Sequence, residues 1–198
     1  MPSLKRICVF CGSSPGSRPE YARAARELGD LLARRRIGLV FGGGKVGMMG
    51  QLAQAALDAG GEVIGVIPRA LHERKVAFNG LTDLRVVATM HERKALMAEL
   101  ADGFMALPGG LGTLEETLEI LTWAQLGMHQ KPCGLLNAAG FFSPLLALLD
   151  HISTQGFVDG VHRGMVLSAE SPAGLLEKLE RYEPIVADKA EWALGKMG

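Results

Sequence analysis

Several things are scarce in this chain, and each shortage narrows what the protein can be. Charge of neither sign dominates, since 21 Lys and Arg stand against 21 Asp and Glu. A general binder of nucleic acid or of a membrane surface carries a basic excess, so neither partner is expected. A small anion held by a local site remains open. Cysteines number three, at irregular spacing, which implies no disulfide framework. No apolar run approaches the length of a membrane span. The apolar part of MPSLKRICVFCGSS is too short for a signal peptide and reads as a first strand. A soluble cytoplasmic protein is expected. The five histidines show no metal-ligand spacing, and neither a metal nor an organic cofactor is expected.

Cys8 and Cys11 have a CxxC spacing, but they lie within a strand pattern. Side chains three apart on a strand point to opposite faces, so buried structural thiols are expected rather than a redox or zinc pair.

What the chain does have is glycine, 26 residues of it, and a hydrophobic fraction of 48% over 198 residues. That suffices for one sizeable core. Strand-like runs are expected at 7–11, 39–41, 63–67, 84–87, 103–107, 133–136 and 165–168. Between them fall amphipathic helical patterns at 19–35, 46–59, 90–101, 113–127, 142–155 and 171–182. Residues 69–83 form the longest irregular stretch. This alternation predicts an α/β fold, a Rossmann-like three-layer sandwich with a mostly parallel sheet and helices on both faces. One domain is expected over residues 1–182, with a C-terminal tail at 183–198.

Ligands in such sheets sit outside the carboxyl ends of strands. Two of the loops leaving those ends are glycine-rich and run into helices: GGGKVGMMG after the second strand and PGGLGT after the fifth. Both suit tight turns, and both suit a phosphate facing helix N–H groups. Gly43 and Gly44 are therefore candidate contacts. The first loop matches GxGxxG, yet no acid ends the following strand, Ile67-Pro68-Arg69, to hold a ribose. Nicotinamide binding is thus a weaker reading.

Two further residues carry chemical signals. In TMHERKALMAELA, Met90, Leu96, Met97 and Leu100 form the apolar stripe of a helix, with Arg93 in its middle and Lys94 on its flank. An inward arginine needs an anion: a core carboxylate, Glu116, or a ligand phosphate. Glu116 closes Thr113-Leu114-Glu115-Glu116, which reads as a capping box with Thr113 at the N-cap. It also reads as a carboxylate placed for chemistry.

The motifs GGGxxGxMG (Gly42 to Gly50), MHERK (Met90 to Lys94), PGGxGTxEE (Pro108 to Glu116) and TWAQLGxHxKPxGLLN (Thr122 to Asn137) occur in this order. Together they resemble the LONELY GUY (LOG) family of cytokinin riboside 5'-monophosphate phosphoribohydrolases, often labelled lysine decarboxylases. The resemblance extends over nearly the whole chain. It implies hydrolysis of the N-glycosidic bond of a nucleoside 5'-monophosphate to free base and ribose 5-phosphate. It also implies a homodimer with active sites near the subunit interface. Arg93 and Glu116 become the catalytic pair. Lys94, Gly109, Gly110, Leu111, Gly112, Thr113, Leu114, Glu115 and Thr122 line the nucleotide site. Lys75 stands seven residues beyond Pro68, where the family often has an acid, which puts base preference in question. The alternative is a nucleotide-binding regulator without turnover.

Overall fold

In a computed structural model, which describes residues 4–185, seven strands form one sheet. They are β1 (Arg6–Phe10), β2 (Gly38–Phe41), β3 (Val63–Pro68), β4 (Asp83–Val87), β5 (Gly103–Ala106), β6 (Cys133–Leu136) and β7 (Val166–Ala169). Every pairing is parallel, and the order is β4-β3-β2-β1-β5-β6-β7. Strands β2, β3, β5 and β6 are buried along their full length. Their near-continuous apolar sequences follow from helices covering both faces.

The helices are α1 (Pro19–Arg34), α2 (Gly47–Asp58), α3 (Arg69–Glu73), α4 (Met90–Leu100), α5 (Leu111–Gln125), α6 (Ser143–Thr154), α7 (Gly160–Arg163) and α8 (Pro172–Glu180). One face of the sheet packs against α1, α2 and α8, through Leu28, Leu32, Leu52 and Leu175 among others. The other face packs against α4, α5 and α6, through Met97, Ile120 and the half-buried Leu145 and Leu146. Cys8 belongs to the second core and Cys11 to the first. Both thiols are free, and burial pushes both of them up from the ordinary thiol range.

The expected elements form, with ends shifted by one or two residues. Two short helices, α3 and α7, were not expected. Residues 186–198 of the expected tail lie outside the described residues.

Two local expectations are corrected. Helix α5 begins at Leu111 with Gly110 at its N-cap, so Thr113 sits inside the first turn and caps nothing. Its hydroxyl lies instead against Gly109, where any Cβ would collide with it. The helix with this kind of reciprocal cap is α4: the Thr89 side chain accepts from Glu92 N at 3.1 Å, and Glu92 accepts from Ala88 N at 2.9 Å. The second correction is Met90, 47% exposed although it belongs to the expected inward stripe. At this end of α4 the inward places are filled by Arg93 and Lys94.

Candidate active site

The strand order reverses at β1, whose following strand β2 lies on one side and β5 on the other. Loops leaving the carboxyl ends at such a point diverge and open a crevice. Here the β1 and β5 loops touch at its base, with Gly12 N donating to Pro108 O at 3.1 Å. A Cβ on Gly12 would lie 3.2 Å from Gly109 Cα, so a larger residue would push the loops apart.

The two glycine loops are not equivalent. After β5, α5 starts with no side-chain cap. Gly110 and Gly112 border open space, and Leu111 is 86% exposed. Leu114 N is the first amide of α5 that reaches back to an acceptor, Gly110 O. The amides before it have no helical partner and face outward with the positive end of the helix dipole. After β2 two of the loop amides and the Gly43 carbonyl are already in use. Met48 N donates to Gly12 O at 3.1 Å, Lys45 N to Val76 O at 2.9 Å, and Phe78 N to Gly43 O at 2.8 Å. Gly44 forms a bridge with Ala77. Gly43 and Gly44 are thus buried beneath residues 76–78, on the β3 side of the crevice.

Arg93 and Glu116 meet. One guanidinium Nη donates to a Glu116 oxygen, and Nε donates to Val66 O at 3.2 Å. The other Nη lies against Gly42, where a Cβ would collide with it. That is the physical need for glycine at 42. Arg93 is 7% exposed and Glu116 9%. Two of the three anions foreseen for Arg93, a core carboxylate and Glu116, are one and the same. A buried pair of this kind adds little net stability, because desolvation offsets its attraction. Its position under the crevice is what gives it chemical meaning.

Lys94 is buried next to Arg93. Its Nζ donates to Glu115 Oε1 at 2.5 Å and to Glu119 Oε1 at 3.0 Å. Glu119 Oε2 is at 2.9 Å but is not aligned as an acceptor. The Glu115 hydrogen bond, opposed by burial, holds the ammonium above its ordinary value. Glu119 escaped the sequence analysis, although its i+4 spacing from Glu115 signals one helix face. Thr122 is exposed, and its hydroxyl donates to Leu118 O at 2.7 Å. It lies about 16 Å along α5 from Leu111, so it does not join the glycine loop of its own chain. Lys75 is exposed in a left-handed conformation, φ 56°, beside the segment pinned over Gly43.

Among the described residues no group of three or more His, Cys, Asp or Glu is placed to hold a metal ion. His129 is half-buried with Nε2 3.0 Å from Ile120 O, and burial lowers its pKa. His162 is buried, and neither ring nitrogen has a partner among the described residues.

Residues 49–179 match a family profile described as "Possible lysine decarboxylase". Cytokinin riboside 5'-monophosphate phosphoribohydrolase LOG1 of Arabidopsis thaliana is 49% identical, with 98% of this chain and 93% of the relative covered. The chain belongs to the LOG family. LOG7 of the same plant is 51% identical over 91% of this chain and 83% of its own. Solved structures share the fold of this LOG-family chain. The molybdenum cofactor binding protein from Rippkaea orientalis has a TM-score of 0.66 at 26% identity, covering 90% of this chain and 96% of that one. The molybdenum cofactor carrier protein of Chlamydomonas reinhardtii has a TM-score of 0.68 at 22% identity, covering 90% and 97%, a likeness of fold alone. The decarboxylase description would imply pyridoxal phosphate on a lysine amine. The site does not fit that group. Lys94 is the buried lysine here, and two carboxylates keep it protonated, whereas a Schiff base starts from a neutral amine.

Proposed function

We propose that the protein hydrolyses the N-glycosidic bond of nucleoside 5'-monophosphates, releasing free base and ribose 5-phosphate. N6-modified adenosine monophosphates and AMP are the candidate substrates. The observation that carries this reading is the buried Arg93–Glu116 pair beside the uncapped N-terminus of α5. The names of the LOG relatives support it.

The geometry suggests a division of labour. The amides of Leu111, Gly112 and Thr113 receive the 5'-phosphate, with Gly109, Gly110, Leu114 and Glu115 shaping the loop around it. Phosphate binding places the ribose over Glu116, so remote binding energy positions the scissile bond. As the C–N bond lengthens, the anomeric carbon gains oxocarbenium character. The base leaves with the C–N electron pair and takes up a proton from solvent, while the Glu116 carboxylate faces the ribosyl charge and takes a proton from the water that bonds to the anomeric carbon. Arg93 keeps the carboxylate aimed, and has N–H bonds to spare for the ribose phosphate. Gly43 and Gly44 serve as the crevice wall on the base side.

A homodimer fits the surface. Leu118 and Thr122 of α5 and its C-cap Leu126 follow one stripe, the leucines exposed, with exposed Met128 just beyond it. Thr122 would then act at the interface rather than in its own glycine loop. Among the described residues no helix is long and apolar enough to cross a membrane. The three free buried thiols support a cytoplasmic setting.

The test is incubation with a panel of nucleoside monophosphates, with free base followed by chromatography. Base released from AMP but hardly from adenosine is the expected result. Release from no monophosphate overturns the reading in favour of a regulator that binds without turnover.

A further inference from the structure

We infer that Lys94 is a positioning residue, which sets α5 on α4 through Glu115 and Glu119 so that Glu116 meets Arg93, and that it does not hold the substrate phosphate. The inference rests on the hydrolase reading above. It departs from the substrate-lining role that the MHERK motif implies for this lysine.

Charge is the first argument. One ammonium lies between two carboxylates at 2.5 and 3.0 Å. With all three ionised the cluster carries a net charge of one minus. A phosphate dianion approaching Nζ would meet a negative cluster rather than a free cation. Burial is the second. Lys94 is 8% exposed, and two of its three N–H bonds are already in use. The amides that do face open space are those of α5, a separate feature of the site.

Geometry is the third argument. Arg93 and Lys94 are neighbours on α4, and their partners interleave on α5: Glu115 and Glu119 for Lys94, Glu116 for Arg93. Glu115 and Glu119 lie one helical turn apart, so holding both fixes the rotation of α5 and its height along α4. Fully buried apolar restraints on this seat are few, although half-buried Leu96, Leu100, Leu121 and Trp123 pack against the same core. Helix α4 buries only Arg93, Lys94 and Met97, and α5 buries Ile120 and Ala124 as its only apolar side chains. A general base must be held in register with the reacting atoms, and a misplacement of about 1 Å can cost about 100-fold in rate. The Lys94 cluster is the contact best placed to prevent that shift.

The experiment compares wild type with Lys94→Met, Lys94→Arg and Glu119→Gln. It measures kcat and KM on AMP and on adenosine, and the affinity for inorganic phosphate by calorimetry. If Lys94 positions, Lys94→Met lowers kcat by roughly tenfold or more. Phosphate affinity and the AMP-to-adenosine preference stay within about twofold of wild type. Lys94→Arg restores part of kcat, Glu119→Gln lowers kcat in the same way, and adding it to Lys94→Met costs little more. If Lys94 holds phosphate, Lys94→Met keeps kcat, raises KM, weakens phosphate binding and erases the preference for AMP, and the inference is overturned. Should Lys94→Met fail to fold, Glu119→Gln decides: unchanged kcat overturns the inference, and lowered kcat with intact phosphate binding supports it. A wild type that binds phosphate but releases no base sinks the hydrolase reading alone. The inference about Lys94 then falls if Lys94→Met weakens phosphate binding and stands if it does not.

Discussion

The two faces of the sheet are built differently. On the face of α1, α2 and α8, the helices pack as closely as backbone allows. Gly29 of α1 approaches α2 so nearly that a Cβ would collide with Leu52 O, and α1 alone buries six residues. On the face of α4, α5 and α6, side chains meet through charge. Arg93, Lys94 and Glu116 are buried there, α6 buries no residue fully, and Met90, Leu118, Leu126 and Leu148 are exposed. One face holds the fold together and the other carries the candidate site. A tightly packed interior tolerates little adjustment, whereas a polar seat can be aligned for a ligand at the cost of desolvation.

Glu116→Gln should break the comparison hardest on the chemical side. Glutamine accepts a hydrogen bond but cannot act as a base or face an oxocarbenium ion. Turnover is expected to fall by roughly 10² to 10⁴, the scale of a positioned acid–base group. That is about 3–5 kcal/mol of barrier. Thermal stability should fall as well, by up to about 3–5 kcal/mol, because glutamine leaves the buried Arg93 without its counter-charge, so turnover is read per folded molecule. Near-normal kcat would pass suspicion to Glu115.

Leu52→Ala tests the opposite face. Leu52, on α2, is fully buried in the core that α1, α2 and α8 form with the sheet, and the truncation should cost about 2–5 kcal/mol of unfolding free energy. Turnover per folded molecule should not change. A matching loss of kcat in denaturant-calibrated assays would show that the two faces are not separable.

Leu118→Glu combined with Leu126→Glu should leave the monomer folded, since both side chains are exposed. Light scattering is expected to show the mass falling from dimer to monomer. An unchanged dimer would place the interface elsewhere.

Lys75→Glu concerns base preference. Residues 76–78 lie over Gly43 on the β3 side, two to three strands from β5, a span of about 10–14 Å that a nucleotide would bridge with its ribose near Glu116. The reversed charge should change the ratio of kcat/KM between N6-modified and plain AMP by roughly 3- to 10-fold, or about 1 kcal/mol, with phosphate dependence intact. Identical ratios would remove Lys75 from the base end.

The smallest expected effect is acid sensitivity from His129. Burial lowers its folded pKa below 6.5, so the unfolded chain binds the proton more readily. Stability from this group is present above the unfolded pKa and is lost as pH falls through 6.5 toward the folded value. Denaturation midpoints should decline less between pH 7 and 5 in His129→Gln. An identical decline would assign the acid loss to other groups.

What the sequence determined alone was whatever rests on local periodicity. Seven apolar runs between helical patterns dictated seven strands and the three-layer fold, because side chains alternate with period 2 on a strand and 3.6 on a helix. The same periodicity turned Arg93 inward, and the spacing of Cys8 and Cys11 sent them to opposite cores. Tertiary structure decided everything that depends on which elements become neighbours. It set the strand reversal at β1, and it left the α5 loop open while closing the Gly42–Gly44 loop beneath residues 76–78. It moved Glu116 from helix cap to ion pair. It exposed Met90, and it set Lys94 between Glu115 and Glu119. Neighbours far apart in the chain are chosen by the packing of the whole sheet, and a hydrogen-bond donor in a glycine loop carries no mark of whether another segment will cover it.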